Sequence, residues 1–180
     1  EMLRLAVERA NERVFEESEV NPVYSGMGTT VSAAVLHGSY VYIAQVGDSR
    51  VYLVRPKGEV HQITADHSLV AEQVRSGLIR EEEARTHSLK NLITRAVGIK
   101  ETVRTDMYAL KVEAQDTLLV CSDGLSNIVT DDRIGAALHN GNLQQGTKSL
   151  VEQALAGGGP DNITAVTLRL TDVPPVTELQ

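Results

Sequence analysis

The chain has 180 residues, an apolar share of 42% and a formal net charge of −7, from 17 basic and 24 acidic side chains. That is one domain's worth of sequence, with enough apolar content for a core and too much for a disordered chain. The acidic balance, the lack of Trp and the single Phe argue against nucleic acid or an anionic membrane surface as partner, because these need a cationic face or a stacking platform.

One cysteine, Cys121, excludes an internal disulfide framework and a cysteine-rich zinc site. No apolar run approaches the ~20 residues that span a bilayer, and no signal peptide opens the chain. A cytoplasmic globular domain without direct membrane insertion is expected.

The chain opens on a helix, Glu1 to about Glu17, with Leu3, Val7, Ala10 and Val14 on one face. With no Met at position 1 and no lead-in, it reads as a piece of a longer protein. From Thr29 to Thr64 the pattern is β: strands over 30–36, 40–46, 51–55 and 60–64, separated by Gly-containing turns, predict an antiparallel meander. Residues 68–85 turn helical, with Gly77 interrupting and Glu81-Glu82-Glu83 starting a second short helix. Strands follow at 106–110 and 117–121. One helix starts near Thr130 as N-cap, and another covers 143–156 before Gly157-Gly158-Gly159. A last strand at 163–170 leads into a Pro174-Pro175 tail. This grouping predicts an α+β fold with helices outside antiparallel sheets.

Four short motifs could carry chemistry, and each has a plainer reading. Gly26-Met27-Gly28-Thr29-Thr30 also suits a loop entering a strand, and Gly47-Asp48-Ser49 a hairpin turn. Ser122-Asp123-Gly124 also suits a helix N-cap or turn, and Pro160-Asp161-Asn162 a turn. Their order shifts the balance. Asp48, Asp123 and Asp161 all sit at strand–loop junctions, where carboxylates can face a hard cation. Two such ions ~3.5–4 Å apart hold a bridging water and deprotonate it near neutral pH, giving a nucleophile without a thiol or serine. Cys121, in an apolar strand, reads as a packed residue.

These motifs, with Thr64-Ala65-Asp66-His67-Ser68, Asn91-Leu92-Ile93-Thr94-Arg95-Ala96-Val97-Gly98 and Asp161-Asn162-Ile163-Thr164, occur in one order. The chain thereby resembles the protein phosphatase type 2C family of metal-dependent serine/threonine phosphatases, from the first helix to Leu170. The compact form, with Glu82 to His87 ahead of Asn91, is similar to the bacterial branch.

The resemblance implies a four-layer α-β-β-α sandwich with a central antiparallel β-sandwich, and two Mn²⁺ or Mg²⁺ ions with a third held more weakly. It implies that Asp123 and Asp161 ligate one ion of the pair, and that Asp48, with Asp123, helps to hold the third. His67 matches a structural position. His87 lies in the segment corresponding to a mobile flap that contacts substrate, although an exposed helix-end histidine is the plainer reading. Asn91 and Arg95 are expected to fix the backbone near that flap. The implied partners are phosphoproteins, and a serine/threonine kinase with its substrates.

Two family elements are not in this sequence: a phosphate-binding arginine, and an Asp-Gly motif whose aspartate bridges both metals with a histidine nearby. The expectation is therefore a phosphatase domain over residues 1–171 with a tail or linker at 172–180. It is expected to lack its N-terminal strands, to be impaired by itself, and to be open to self-association through unpaired sheet edges. The rival reading is a non-catalytic regulatory or binding module. A phosphatase of small phosphorylated metabolites is a third.

Overall fold

Helix α1 (Met2–Val20) buries a stripe formed by Leu3, Val7, Asn11, Val14 and Ser18 in the computed structural model, which describes residues 1–139 and 141–173. The spacing of three and four is the one the sequence predicts, but Ala10 points to solvent and Asn11 takes the inward position. Asn11 is admitted because all its polar atoms are used. Its Nδ2 donates to the carbonyls of Lys100 and Glu101, each at 3.0 Å, and its Oδ1 accepts the Gly98 N–H at 2.8 Å. A buried amide thus docks the 98–101 loop on the helix.

Seven strands follow among the described residues: β1 (Val31–His37), β2 (Tyr40–Val46), β3 (Arg50–Val54), β4 (Val60–Gln62), β5 (Asp106–Lys111), β6 (Thr117–Cys121) and β7 (Ala165–Arg169). Between them lie α2 (Leu69–Arg75), α3 (Glu81–Thr86), α4 (Asp123–Ser126), α5 (Asp131–Leu138) and α6 (Leu143–Ala156). The strands form two sheets, ordered β1-β2-β5 and β4-β3-β6-β7. The expected single meander is therefore corrected. Gly47-Asp48-Ser49 carries the chain from a strand of one sheet to a strand of the other and is not a hairpin turn. The turn at Pro56-Lys57-Gly58 does close a hairpin, with the Gly58 N–H on the Arg55 carbonyl at 2.8 Å.

The chain divides into two units. The first comprises Glu1–Ala33, Ile43–Ser49 and Ala65–Met107. In it α1 covers Ala44, Val46 and Val97, with Leu3, Val14, Val31 and Val103 around them. Ser68 caps α2, accepting the Ala71 N–H at 3.3 Å. The segment 68–90 buries few side chains, Ser68 and Val70 among the described ones.

The second unit comprises Ala34–Tyr42, Arg50–Thr64 and Tyr108–Gln180. Its four-stranded antiparallel sheet pairs Tyr52 with Leu119, and Leu119 with Thr167. One face packs on α5 and α6 through Tyr52, Val54, Leu119, Cys121, Ile134, Leu138 and Leu150, all at most 2% exposed. Alternation puts Val51, Val120 and Val166 in one row of the opposite face, and Leu53, Leu118 and Leu168 in another. Both rows run out at the edge strand β7, where Val166 is 60% and Leu168 48% exposed. Thr130 precedes α5 as expected, but its side chain makes no cap bond.

The fold is α+β with antiparallel sheets. No helix among the described residues is long and apolar enough to cross a membrane. The Pro174-Pro175 tail lies outside the described residues.

Candidate metal centre

Asp123 and Asp161 belong to the second unit, and the residues beside them explain why they meet. β6 ends at Cys121, and Asp123 opens the short helix α4. Ser122 stitches this corner to the loop before β7. Its N–H donates to the Thr164 carbonyl at 3.1 Å. Its hydroxyl donates to the Asn162 carbonyl at 3.0 Å and accepts the Thr164 N–H at 3.0 Å. That hydroxyl is thus spent across the corner and not on capping α4, the plainer reading of this motif. Gly124 completes the fit, because a Cβ there would lie 2.4 Å from the Asn162 carbonyl oxygen. Ser-Asp-Gly and Asp-Asn-Ile-Thr are two halves of one junction.

The junction sets the electrostatics. The Asp123 carboxyl is pushed above the usual carboxylate range, first by burial and then by the negative charge of Asp161. The Gly124 and Asp123 N–H groups and the Arg50 charge oppose this rise without cancelling it. Asn127 donates to Asp123 Oδ2 at 3.3 Å, and Asp161 Oδ1 accepts the Asn162 N–H at 2.7 Å. Arg50 sits opposite Cys121 in the β3–β6 register, and its guanidinium donates to the Tyr52 hydroxyl at 2.9 Å. Burial pushes Tyr52 up to about 12, so that phenol stays neutral.

Two carboxylates that repel one another, with no ion pair to a Lys or Arg among the described residues, make an oxygen-only donor set. It fits a hard divalent cation, which removes the repulsion, and does not fit a soft metal. Cys121 is buried and gives no exposed thiolate.

Asp48 lies in the first unit, half-buried, in a loop clamped by its neighbours. Gly47 takes a left-handed φ of +105°, open to glycine. Its N–H donates to His67 Nδ1 at 3.0 Å, and its carbonyl accepts the His67 N–H at 3.0 Å. The fully buried Gln45 amide donates to the carbonyls of Gly47 at 2.9 Å and Ser49 at 2.6 Å. Ser32 bonds Gln45 Oε1 and also donates to the Ser49 carbonyl at 2.9 Å, and Thr30 Oγ1 meets Ser49 Oγ at 2.8 Å.

His67 is 3% exposed and satisfied, as its structural reading anticipates. With Nδ1 accepting from Gly47, the proton resides on Nε2 and is donated to Asp106 Oδ2 at 3.0 Å. Arg95 holds Asp106 Oδ1 at 2.7 Å and the Arg104 carbonyl at 3.1 Å. Burial, aided by the Arg95 charge, lowers the His67 pKa and outweighs Asp106. Burial would raise Asp106, but the hydrogen bonds from His67 and Arg95 prevail and hold it low.

Arg95 thus fixes backbone at Arg104, not in the expected flap segment 68–90. Asn91 is exposed and makes no side-chain hydrogen bond among the described residues. His87 stands at the C-terminal end of α3, half-buried, with Nδ1 accepting the Leu89 N–H at 3.1 Å. Among the described residues no three His, Cys, Asp or Glu side chains form a metal-holding cluster, while the Asp161 charge acts on Asp123 across the stitched corner. The sequence reading missed Gln45 and Arg50. A Gln at an inward position of an apolar strand was the available signal for the first.

The family described as Protein phosphatase 2C matches residues 1–156. The chain is 38% identical over 165 residues to the serine/threonine phosphatase stp of Listeria monocytogenes serovar 1/2a, covering 91% of this chain and 65% of that protein. It is 39% identical over 170 residues to the serine/threonine protein phosphatase PstP of Mycobacterium tuberculosis, covering 94% of this chain and 33% of PstP. The chain therefore spans less than two thirds of these relatives.

Among solved structures, a bacterial serine phosphatase superposes with a TM-score of 0.90 at 34% identity, covering 95% of this chain and 69% of that one. The PstP catalytic domain in complex with two manganese ions superposes at 0.85 and 39% identity, covering 94% and 70%. With its fold and its stitched Asp123–Asp161 junction, this chain belongs to the protein phosphatase 2C family.

Proposed function

We propose that residues 1–171 form the core of a metal-dependent phosphatase that hydrolyses phosphoserine and phosphothreonine in proteins. The observation that supports this is the Ser122–Gly124 junction, which ties the Asp123 corner to the Asp161 loop, with the Asp161 charge raising the Asp123 carboxyl. Asp123 and Asp161 would hold Mn²⁺ or Mg²⁺, and Asp48 would contribute to a further, weaker position. A bound ion supplies Lewis acidity and a water acidified toward neutral pH. The chain's own residues keep the ligands in place. Ser122 locks the corner, the Arg50 charge favours ionised Asp123, and Gln45 with His67 immobilises the backbone on both sides of Asp48. His87, whose Nδ1 is occupied by Leu89, offers Nε2–H to a substrate.

The relatives' names support phosphoprotein substrates, and a serine/threonine kinase is the natural counterpart that supplies them. We place the reaction in the cytoplasm, where the one buried thiol and the lack of disulfides suit a reducing setting. The β7 edge, with its exposed Val166 and Leu168, supports self-association of this chain.

The test is phosphate release from a phosphothreonine peptide with and without Mn²⁺. Slow but Mn²⁺-dependent release that Asp123→Asn removes is the expected result. Mn²⁺-dependent release that survives Asp123→Asn, or release without added metal in the presence of a chelator, contradicts the metal assignment.

A further inference from the structure

Asp123 and Asn127 lie one helical turn apart in the second unit, and the turn between them is fastened on several sides. The Asn127 N–H donates to the Asp123 carbonyl at 2.8 Å, and the Val129 N–H donates to that of Leu125 at 2.9 Å. Leu125 is fully buried and Val129 is 2% exposed, both in the core beneath the sheet. Gly124 packs against the Asn162 carbonyl. Asp123 is half-buried and Asn127 is exposed.

The Asp123 carboxylate accepts from its own N–H and from that of Gly124. Among the described residues one side chain joins them: Asn127 Nδ2 donates to Asp123 Oδ2 at 3.3 Å. Arg50 and Asp161 act on the same carboxylate through charge, with opposite signs. The two main-chain donors move with the corner itself, whereas the Asn127 amide reaches one carboxylate oxygen from a turn away. Its bond is longer than the ~2.7–2.9 Å of a tight charge-assisted contact, which leaves the carboxylate room to adjust to an ion. With Oδ2 engaged in this way, single-oxygen ligation through Oδ1 is favoured. Mg²⁺ demands near-ideal octahedral geometry at ~2.0–2.1 Å and suits such a ligand, whereas Ca²⁺, at ~2.3–2.6 Å, also takes both oxygens of a carboxylate.

We propose that Asn127 is a positioning residue, which holds Asp123 for single-oxygen ligation and thereby favours Mg²⁺ over Ca²⁺ at this centre. The proposal rests on the metal assignment made above for Asp123 and Asp161. An amide that served only to close the turn would act on stability, and its loss would weaken both ions together.

The test uses NMR on the 180-residue chain and needs no turnover. Without metal, the side-chain carboxyl carbon of Asp123 is expected to shift in Asn127→Leu, and the side-chain NH₂ protons of Asn127 to shift in Asp123→Asn. Mg²⁺ and Ca²⁺ titrations are then followed at the Gly124 and Asn162 amides. Asn127→Leu should weaken Mg²⁺ about tenfold, the loss typical of removing a partner of a metal ligand, while Ca²⁺ affinity holds or rises. Asn127→Gln, whose amide also spans one turn, should restore most of the Mg²⁺ affinity. An Asp123 carboxyl carbon that ignores Asn127→Leu, equal losses for both ions, or no recovery in Asn127→Gln overturns the proposal. Equal binding of both ions by the parent chain and by Asp123→Asn removes the metal assignment and this proposal with it, while the metal-free shifts still show whether Asn127 holds Asp123.

Discussion

Gly47 and His67 are joined twice: the Gly47 N–H reaches His67 Nδ1 at 3.0 Å, and the His67 N–H reaches the Gly47 carbonyl at 3.0 Å. The first bond requires an unprotonated Nδ1, so the imidazole that holds the Asp48 loop must be neutral.

A pH dependence follows. The folded pKa of His67 lies below its unfolded value of about 6.5, so the unfolded chain takes up the proton first as pH falls. The stability that His67 contributes is complete above about pH 6.5 and is lost as pH falls toward the lowered folded value. Urea midpoints between pH 7.5 and 5.5 should decline in the parent chain, and the decline should shrink in His67→Gln. An equal slope in both proteins places the titration elsewhere.

Gly124→Ala isolates the junction. The added methyl meets the main-chain carbonyl of Asn162 at 2.4 Å and cannot be accommodated by a rotamer change. The loop carrying Asp161 must move, at a cost of about 1–3 kcal/mol. Urea unfolding should show that loss, and Mn²⁺ affinity should fall with it. Unchanged stability and unchanged affinity together contradict the stitched geometry.

The order of the elements was legible in the sequence because side-chain period reports local structure. The apolar runs over 40–46 and 117–121 are strands β2 and β6, the three-four spacing of α1 survives, and the helix expected over 143–156 is α6. Long-range choices were not legible. Nothing local tells that β3 pairs with β6, about 65 residues on, instead of continuing a meander from β2. The inward face expected at Ala10 belongs to Asn11, because its three backbone partners at 98, 100 and 101 leave no local signal. The aspartates at strand ends were legible. The hydroxyl of Ser122 and the amide of Gln45, which fix them, act across the fold and leave no periodic trace.

Residues 68–90 should exchange amide hydrogens faster than Leu118–Cys121. The former bury little beyond Ser68 and Val70 among the described residues, while four of the five β6 residues are buried. Hydrogen exchange read by mass spectrometry decides this, and equal protection contradicts a flap-like segment.

The exposed end of the two apolar rows on β7 predicts concentration-dependent association. Light scattering should show a mass above 19.5 kDa that returns to the monomer value in Thr167→Pro, since proline removes a ladder donor. A monomer at high concentration, or association unaffected by Thr167→Pro, means that this edge is not the contact.

The central claim is that Asp123 and Asp161 form the metal-binding heart of a phosphatase fold. Calorimetric titration of the 180-residue chain with Mn²⁺ tests it most directly. Binding should be measurable and weakened about tenfold or more by Asp123→Asn and by Asp161→Asn, with His87→Ala binding as the parent does. Titration curves for the two Asn variants that match the parent chain would contradict the assignment.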